Sequence, residues 1–215
     1  MSDTADPLAG PPPDCRLCPR LVAFRADNRA AHPDWFNGAV PAFGNDSARL
    51  LVVGLAPGLQ GANRTGRPFT GDYAGDLLYP TLIKFGFARG TYRATPGDIE
   101  LVNCRITNAV RCVPPENKPT PLEQRTCRSF LAAEIAALAN LKVILALGRI
   151  GHDAVLGTLG VRKVTAPFGH GALHEVQEGV LLADSYHCSR YNVNTGVLTE
   201  AMFHEVLAKV AKAVG

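Results

Sequence analysis

The sequence predicts an α/β fold built on a parallel sheet, on three observations. Four short runs rich in Val, Ile and Leu are apolar throughout rather than alternating, as strands covered on both faces must be. Stretches with helical spacing lie between these runs, so strand and helix alternate along the chain. The runs are also widely spaced, which leaves room for the crossover connections that parallel neighbours need.

Residues 1–13, MSDTADPLAGPPP, are polar, Pro-rich and aperiodic, and read as a disordered N-terminal tail; residues 14–215 are then one domain. The first helical pattern covers 17–31. The first strand is RLLVVGL, 49–55, and a second helical pattern follows over 74–85. The next strand is IELVNCRITNAV, 99–110, followed by a helix over 121–139. KVILAL, 142–147, is the third strand, and a helix over 149–159 starts after the break at Gly148. GVLLADSY, 179–186, is the fourth strand, and a last helix runs over 195–213. Helices on both faces of four parallel strands make a three-layer α/β/α molecule.

In such folds ligands bind beyond the carboxyl ends of the strands. The strand exits are 54–72, 111–121, 148–151 and 187–194. All but the third are dense in Gly, Pro, Asn, His or Arg, residues that suit exposed backbone and hydrogen bonding more than packing.

At 215 residues and 47% apolar content the chain can bury a sizeable core. A net charge of +3 does not by itself announce a nucleic-acid partner. Arg64, Arg67, Arg111, Lys118 and Arg190 nevertheless all lie on strand exits, where charge would be focused. No apolar run reaches the roughly 18 residues of a spanning helix, and the start lacks the basic and apolar segments of a secretion signal. A cytoplasmic protein with no membrane partner is expected.

Six cysteines without a secretion signal suit metal ligands or buried thiols better than disulfides. Cys15 and Cys18 form C-x2-C, while Cys112 and Cys127 flank VPPENKPTPLEQRT. Two such pairs can make one four-thiolate site, for zinc or for an iron–sulfur cluster. The Pro-rich loop between the second pair is unlike a zinc-ribbon knuckle and tilts the choice toward the cluster. Cys104 sits within a strand, and Cys188, in an exit, has no evident partner as a nucleophile; both read as packing residues.

The exit after the first strand, GLAPGLQGANRTGRPFTGD, is neither a phosphate-binding P-loop nor a dinucleotide fingerprint. It has a tight turn at Ala56-Pro57-Gly58, a polar arc, then Phe69 and Asp72 just before a helix. Gly66 and Gly71 bracket Phe69 and would let backbone pass close to a flat ligand. Each suspect also has a plainer role: Asp72 as a helix N-cap, Phe69 as core, Asn117 as a turn residue, His187 as a hydrogen-bonded strand end.

Taken together, GLAPGLQGANRTGRPFTGD, AVRCVPPENKPTP with Cys127, and HCSRYN resemble the uracil-DNA glycosylase superfamily, specifically its type B (family 5) iron–sulfur enzymes. The resemblance covers 15 to about 210. It implies the uracil-DNA glycosylase-like fold, with Cys15, Cys18, Cys112 and Cys127 holding a structural 4Fe-4S cluster. It implies Asp72, His187 and Asn117 as the catalytic set, and Gly54, Ala56, Pro57, Gly58, Phe69 and Asn117 around the base. Ala56 stands where better-known members carry Asp, which is the type B pattern and passes the carboxylate's work to Asp72. Arg190 and Tyr191 sit where members wedge into the duplex, and with Arg64, Arg67, Arg111 and Lys118 they make the expected DNA contacts.

The implied activity is that of a base-excision repair enzyme, a monomer acting on double-stranded DNA. It would flip out uracil and other deaminated or ethenylated bases such as hypoxanthine, xanthine and ethenocytosine, and hydrolyse the N-glycosidic bond. The motifs hold no lysine placed for a Schiff base, so no lyase step is expected. The 58–69 segment holds no His, unlike members that bond covalently to DNA. A non-catalytic iron–sulfur or zinc protein that binds nucleic acid, or a redox iron–sulfur protein, are the alternatives.

Overall fold

The computed structural model describes residues 6–215; residues 1–5 of the expected tail lie outside the described residues. In chain order the elements are α1 (Pro19–Ala31), β1 (Phe43–Gly44), β2 (Leu50–Gly54), the one-turn α2 (Ala62–Thr65) and α3 (Tyr73–Lys84). Next come β3 (Ala88–Gly90), β4 (Ile99–Leu101), β5 (Cys104–Asn108), α4 (Pro121–Ala137) and β6 (Val143–Leu147). The chain ends with α5 (Arg149–Leu159), β7 (Leu173–Gln177), β8 (Val180–Ser185), α6 (Arg190–Asn194) and α7 (Glu200–Val214).

The main sheet has six strands in the order β1-β5-β2-β6-β8-β7. The expected parallel strands are its centre: β5, β2, β6 and β8 pair parallel, while β1 and β7 add antiparallel edges. The two edges left no apolar signal in the sequence. β1 is two residues long, and β7 alternates between exposed and half-buried positions because one of its faces meets solvent. The single strand expected over 99–110 is two. Asn103 takes a left-handed backbone, φ 49°, which ends β4 and lets β5 begin in the main sheet. β4 pairs with β3 in a separate two-stranded ribbon.

Every residue of β2, β5 and β6 is buried, as the unbroken apolar runs required. Leu50 and Val52 join Leu78, Tyr79 and Leu82 of α3 and Phe203, Leu207 and Val210 of α7. Leu51 and Val53 point the other way, into Leu131 and Ile135 of α4 and Val155 and Leu156 of α5. Burying each such side chain stabilises the fold by roughly 1.5–3 kcal/mol. The Thr120–Glu123 capping box starts α4, and Glu123 also receives both arms of the Arg20 guanidinium from α1, at 2.8 and 2.7 Å.

Residues 6–13 were expected to be disordered and are instead fixed to the domain. The Leu8 carbonyl accepts from Arg105 Nη2 at 2.8 Å, the Pro13 carbonyl accepts from the Ala39 amide at 2.9 Å, and Pro11 is buried. A Pro-rich segment looks aperiodic in sequence, yet docks because strand and loop donors satisfy its carbonyls. Among the described residues no helix is long and apolar enough to cross a membrane.

Candidate functional site

The chain winds from β2 to β5, then crosses back over β2 to β6, so the sheet's direction of growth reverses there. A crevice forms beyond the strand ends at such a reversal. It is a cavity of about 520 Å³ whose walls include Ala56, Gly58, Phe69, Asp72, Asn117 and His187. Three of the suspect strand exits therefore meet in one place.

Asp72 occupies the N-cap position of α3, but its side chain makes no capping hydrogen bond. Its Oδ1 is buried with no partner. Its other oxygen lies over the loop glycines: a Cβ on Gly58 or Gly61 would stand 2.9 or 2.3 Å from Oδ2. Burial raises the carboxyl above its ordinary value, and the nearby amides of Gly75 and Ala74 only partly offset this. A carboxylate left unsatisfied in a cavity wall is available to a ligand or to water.

Phe69 is 5% exposed, at φ 51°, and its ring lies 6.0 Å from the His187 imidazole at 28°. Gly54 makes this possible, because a Cβ there would sit 2.5 Å from Phe69 Cζ and 2.4 Å from Asn108 Oδ1. The imidazole of His187 is pushed down to about 4 by burial and is neutral at pH 7. Its loop explains the H-x-S-x-x-N spacing. Ser189 caps α6 by accepting from the Asn192 amide at 3.4 Å, and Asn192 Nδ2 donates to the His187 carbonyl at 2.8 Å. Gly148, at φ 90°, lies against the other side, where a Cβ would meet His187 Cβ at 3.3 Å. Asn117 stands at the exposed lip, in a turn where it and Glu116 both take positive φ.

Not every expected residue reaches the cavity. Gly54 lies behind Phe69, and Pro57 is a buried turn residue away from the walls. Gly66 lies off the cavity while Gly71 lines it; both take positive φ, and a Cβ on Gly66 would strike Phe36 and one on Gly71 would strike Arg64. Two expected DNA contacts are corrected. Arg111 is 2% exposed and paired with Glu134, and Arg67 is enclosed by Asp98 and three aromatic rings. Both sit in exit loops, but their side chains turn inward to carboxylates that are remote in sequence. Arg64, Lys118 and Arg190 are exposed, as is Tyr191 at 74%, and Arg190 lies 5.6 Å over the Tyr73 ring. The cavity is also lined by Gln60 of the polar arc and by Asn108, Tyr73 and Ser189, which sequence reasoning passed over. Asn108 lies inside the run 99–110 and ends β5, and a polar residue in that run was the available signal.

Cys15, Cys18, Cys112 and Cys127 surround one hollow beside Leu21 and Phe130, and none is in a disulfide. They come from the turn before α1, the N-cap of α1, the β5 exit and α4. The Arg111 amide donates to Cys127 Sγ at 3.4 Å and Arg25 Nη1 to Cys112 Sγ at 3.5 Å, donors that favour thiolate. Among the described residues no His, Cys, Asp or Glu group is gathered as a single-ion site. Cys104 and Cys188 are fully buried in the α3/α7 core, as expected.

The model of the Uracil DNA glycosylase superfamily matches residues 41–211. Over 207 residues the chain is 46% identical to the type-5 uracil-DNA glycosylase of Thermus thermophilus, covering 94% of both chains. It is 40% identical to the type-5 uracil-DNA glycosylase of Mycobacterium tuberculosis, over 94% of this chain and 78% of that one. With the type-4 uracil-DNA glycosylase of Thermotoga maritima it shares 41% identity over 60% of each chain.

Proposed function

The chain belongs to the uracil DNA glycosylase superfamily and is a hydrolase of DNA repair that removes uracil; on that premise we propose how its own residues perform the reaction. The observation that carries the proposal is the unpartnered Asp72 Oδ1 in the same cavity as Phe69 and a neutral His187.

A nucleotide lifted from duplex DNA enters the cavity with its base against Phe69. As the bond from C1′ to the base nitrogen breaks, positive charge grows on the sugar and negative charge on the base. The Asp72 carboxylate faces the sugar, offsets its charge, orients water toward C1′ and takes the water's proton. The bonding pair leaves with the base, and the His187 ring donates a hydrogen bond to the base carbonyl where that charge gathers. A neutral imidazole can fill this role, because one of its ring nitrogens keeps an N–H to donate. Asn117 at the lip and Asn108 at the strand end offer amides to the base edge. Among the described residues no lysine lines the cavity, in keeping with hydrolysis without a lyase step.

With Ala56 rather than a carboxylate in the first loop, and a lip built on a turn, the pocket is open enough for larger bases. We extend the substrate range on this ground to hypoxanthine, xanthine and ethenocytosine in double-stranded DNA. Tyr191 and Arg190 fill the gap in the stack, and Arg64 and Lys118 hold phosphates. The enzyme works as a monomer in the cytoplasm.

The four cysteines suit a 4Fe-4S cluster, because all are thiol donors and two of the sulfurs already receive N–H groups. When bound, the cluster supplies structure, joining the segment before α1 to the β5 exit and α4. A visible absorption band near 400 nm and iron in the purified protein are expected; zinc alone would overturn the assignment.

The test of function is a cleavage assay on duplex oligonucleotides with one uracil, hypoxanthine or xanthine, followed by alkali. Strand breaks only after alkali are expected, and His187→Ala should slow excision by on the order of 10²-fold. Binding without abasic sites would favour a non-catalytic nucleic-acid protein.

A further inference from the structure

We propose that Tyr92 is a positioning residue for the reaction: its hydroxyl holds both the stacking wall and the carboxylate in place. The inference rests on the roles given above to Phe69 and Asp72. Tyr92 does not itself line the cavity but contacts residues that do. It lies on the excursion between β3 and β4, outside the main sheet.

A phenylalanine at φ 51° is strained and relaxes unless its neighbours prevent it. Here the main chain is pinned on both sides. The Tyr92 hydroxyl donates to the Phe69 carbonyl at 3.4 Å and accepts from the Gly71 amide at 3.2 Å. One oxygen therefore spans from the residue of the wall to the residue before Asp72. Tyr79 Oη donates to the Pro68 carbonyl at 2.6 Å, and Arg67 Nε donates to Thr70 Oγ1 at 2.7 Å. Gly75 leaves room for this arrangement, since a Cβ there would stand 2.0 Å from the Phe69 carbonyl and 2.4 Å from the Tyr92 hydroxyl.

The anchors are themselves locked. The rings of Tyr79 and Tyr92 stack at 4.7 Å, and the Arg67 guanidinium lies 5.3–5.9 Å from the rings of Phe43, Tyr79 and Tyr92. Arg67 Nη1 meets Asp98 Oδ1 at 2.6 Å, and Asp98 Oδ2 accepts from the amides of Arg93 and Thr95 at 2.7 and 3.2 Å. The ring cage holds Tyr92 in place, and its hydroxyl is what reaches the catalytic loop. Removing that hydroxyl leaves stacking and cation contacts intact while freeing Phe69 to relax and Asp72 to drift.

Tyr92→Phe is the test, read by single-turnover excision from a uracil duplex, by duplex affinity and by thermal unfolding. We expect excision slowed about tenfold, affinity within twofold, and an unfolding midpoint within a few degrees of the parent. An unchanged rate would overturn the inference. So would a lowered midpoint with the rate per folded molecule unchanged, which marks a merely structural tyrosine. Phe69→Ala separates the premises: if it excises at the parental rate, the stacking role of Phe69 fails; if it is slow while Tyr92→Phe is normal, only the role of Tyr92 fails.

Discussion

At the scale of single residues, the main conflict in the molecule is at Asp72. A half-buried carboxylate with one oxygen unpartnered costs stability where it is charged, because the unfolded chain hydrates that oxygen and the folded chain does not. Burial raises its folded value above the ordinary 3.8. As pH rises past 3.8 the unfolded form ionises first, so stability falls through the interval up to the folded value and stays lower above it. Asp72→Asn should therefore raise the unfolding midpoint at pH 7 in calorimetry. The same change should slow excision by about 10²-fold or more while duplex affinity stays nearly intact. Equal losses of rate and affinity would remove Asp72 from the sugar-facing role. Both halves follow from one observation, that an Asp72 oxygen is buried without a partner in the cavity wall.

At the scale of elements, α4 ties the catalytic sheet to the cysteine-bearing segments. Glu134 on α4 accepts from Arg105 Nε of β5 at 2.7 Å and from Arg111 of the β5 exit, next to Cys112. Arg105 also reaches the carbonyls of Gly44 and Leu8, so one buried carboxylate organises β1, β5 and the N-terminal segment. Glu134→Gln leaves the buried Arg111 guanidinium without a carboxylate and Arg105 with only Asp46 and two carbonyls, and should cost about 3–5 kcal/mol in urea unfolding. A loss under 1 kcal/mol would show that solvent reaches the pair. Sequence periodicity marked α4, yet could not show this pairing, because Arg105, Arg111 and Glu134 share no local pattern. The same limit hid β1, β7 and the turn at Asn103: short or half-exposed elements owe their form to neighbours rather than to their own apolar spacing.

At the scale of the whole molecule, a net charge of +3 understates what the cavity rim presents. Arg190 lines the cavity, and Arg64 and Lys118 are exposed on loops that also supply lining residues, while Arg67 and Arg111 are consumed inside the fold. Arg190→Ala should weaken duplex binding evenly across sequences and reduce the salt slope by about one. Arg111→Ala should lower stability but leave that slope unchanged, as measured by binding titrations at several salt concentrations. A slope that falls for Arg111 would place its side chain on DNA after all.

The sequence by itself determined the four parallel strands, five of the helices, the strand exits that line the cavity, and the four cysteines around one hollow. Apolar runs and helical spacing are local quantities, and the crevice rule then points to the loops without any distance being known. Only the tertiary structure decided which way side chains in those loops turn: Asp72 into the cavity wall, Arg67 and Arg111 inward, Pro57 out of the cavity, Asn108 into it. It also decided what the glycines are for, since Gly54, Gly58 and Gly61 make room for the enzyme's own Phe69 and Asp72. Direction depends on partners distant in sequence, and a chain read in one dimension carries no record of who will be beside whom.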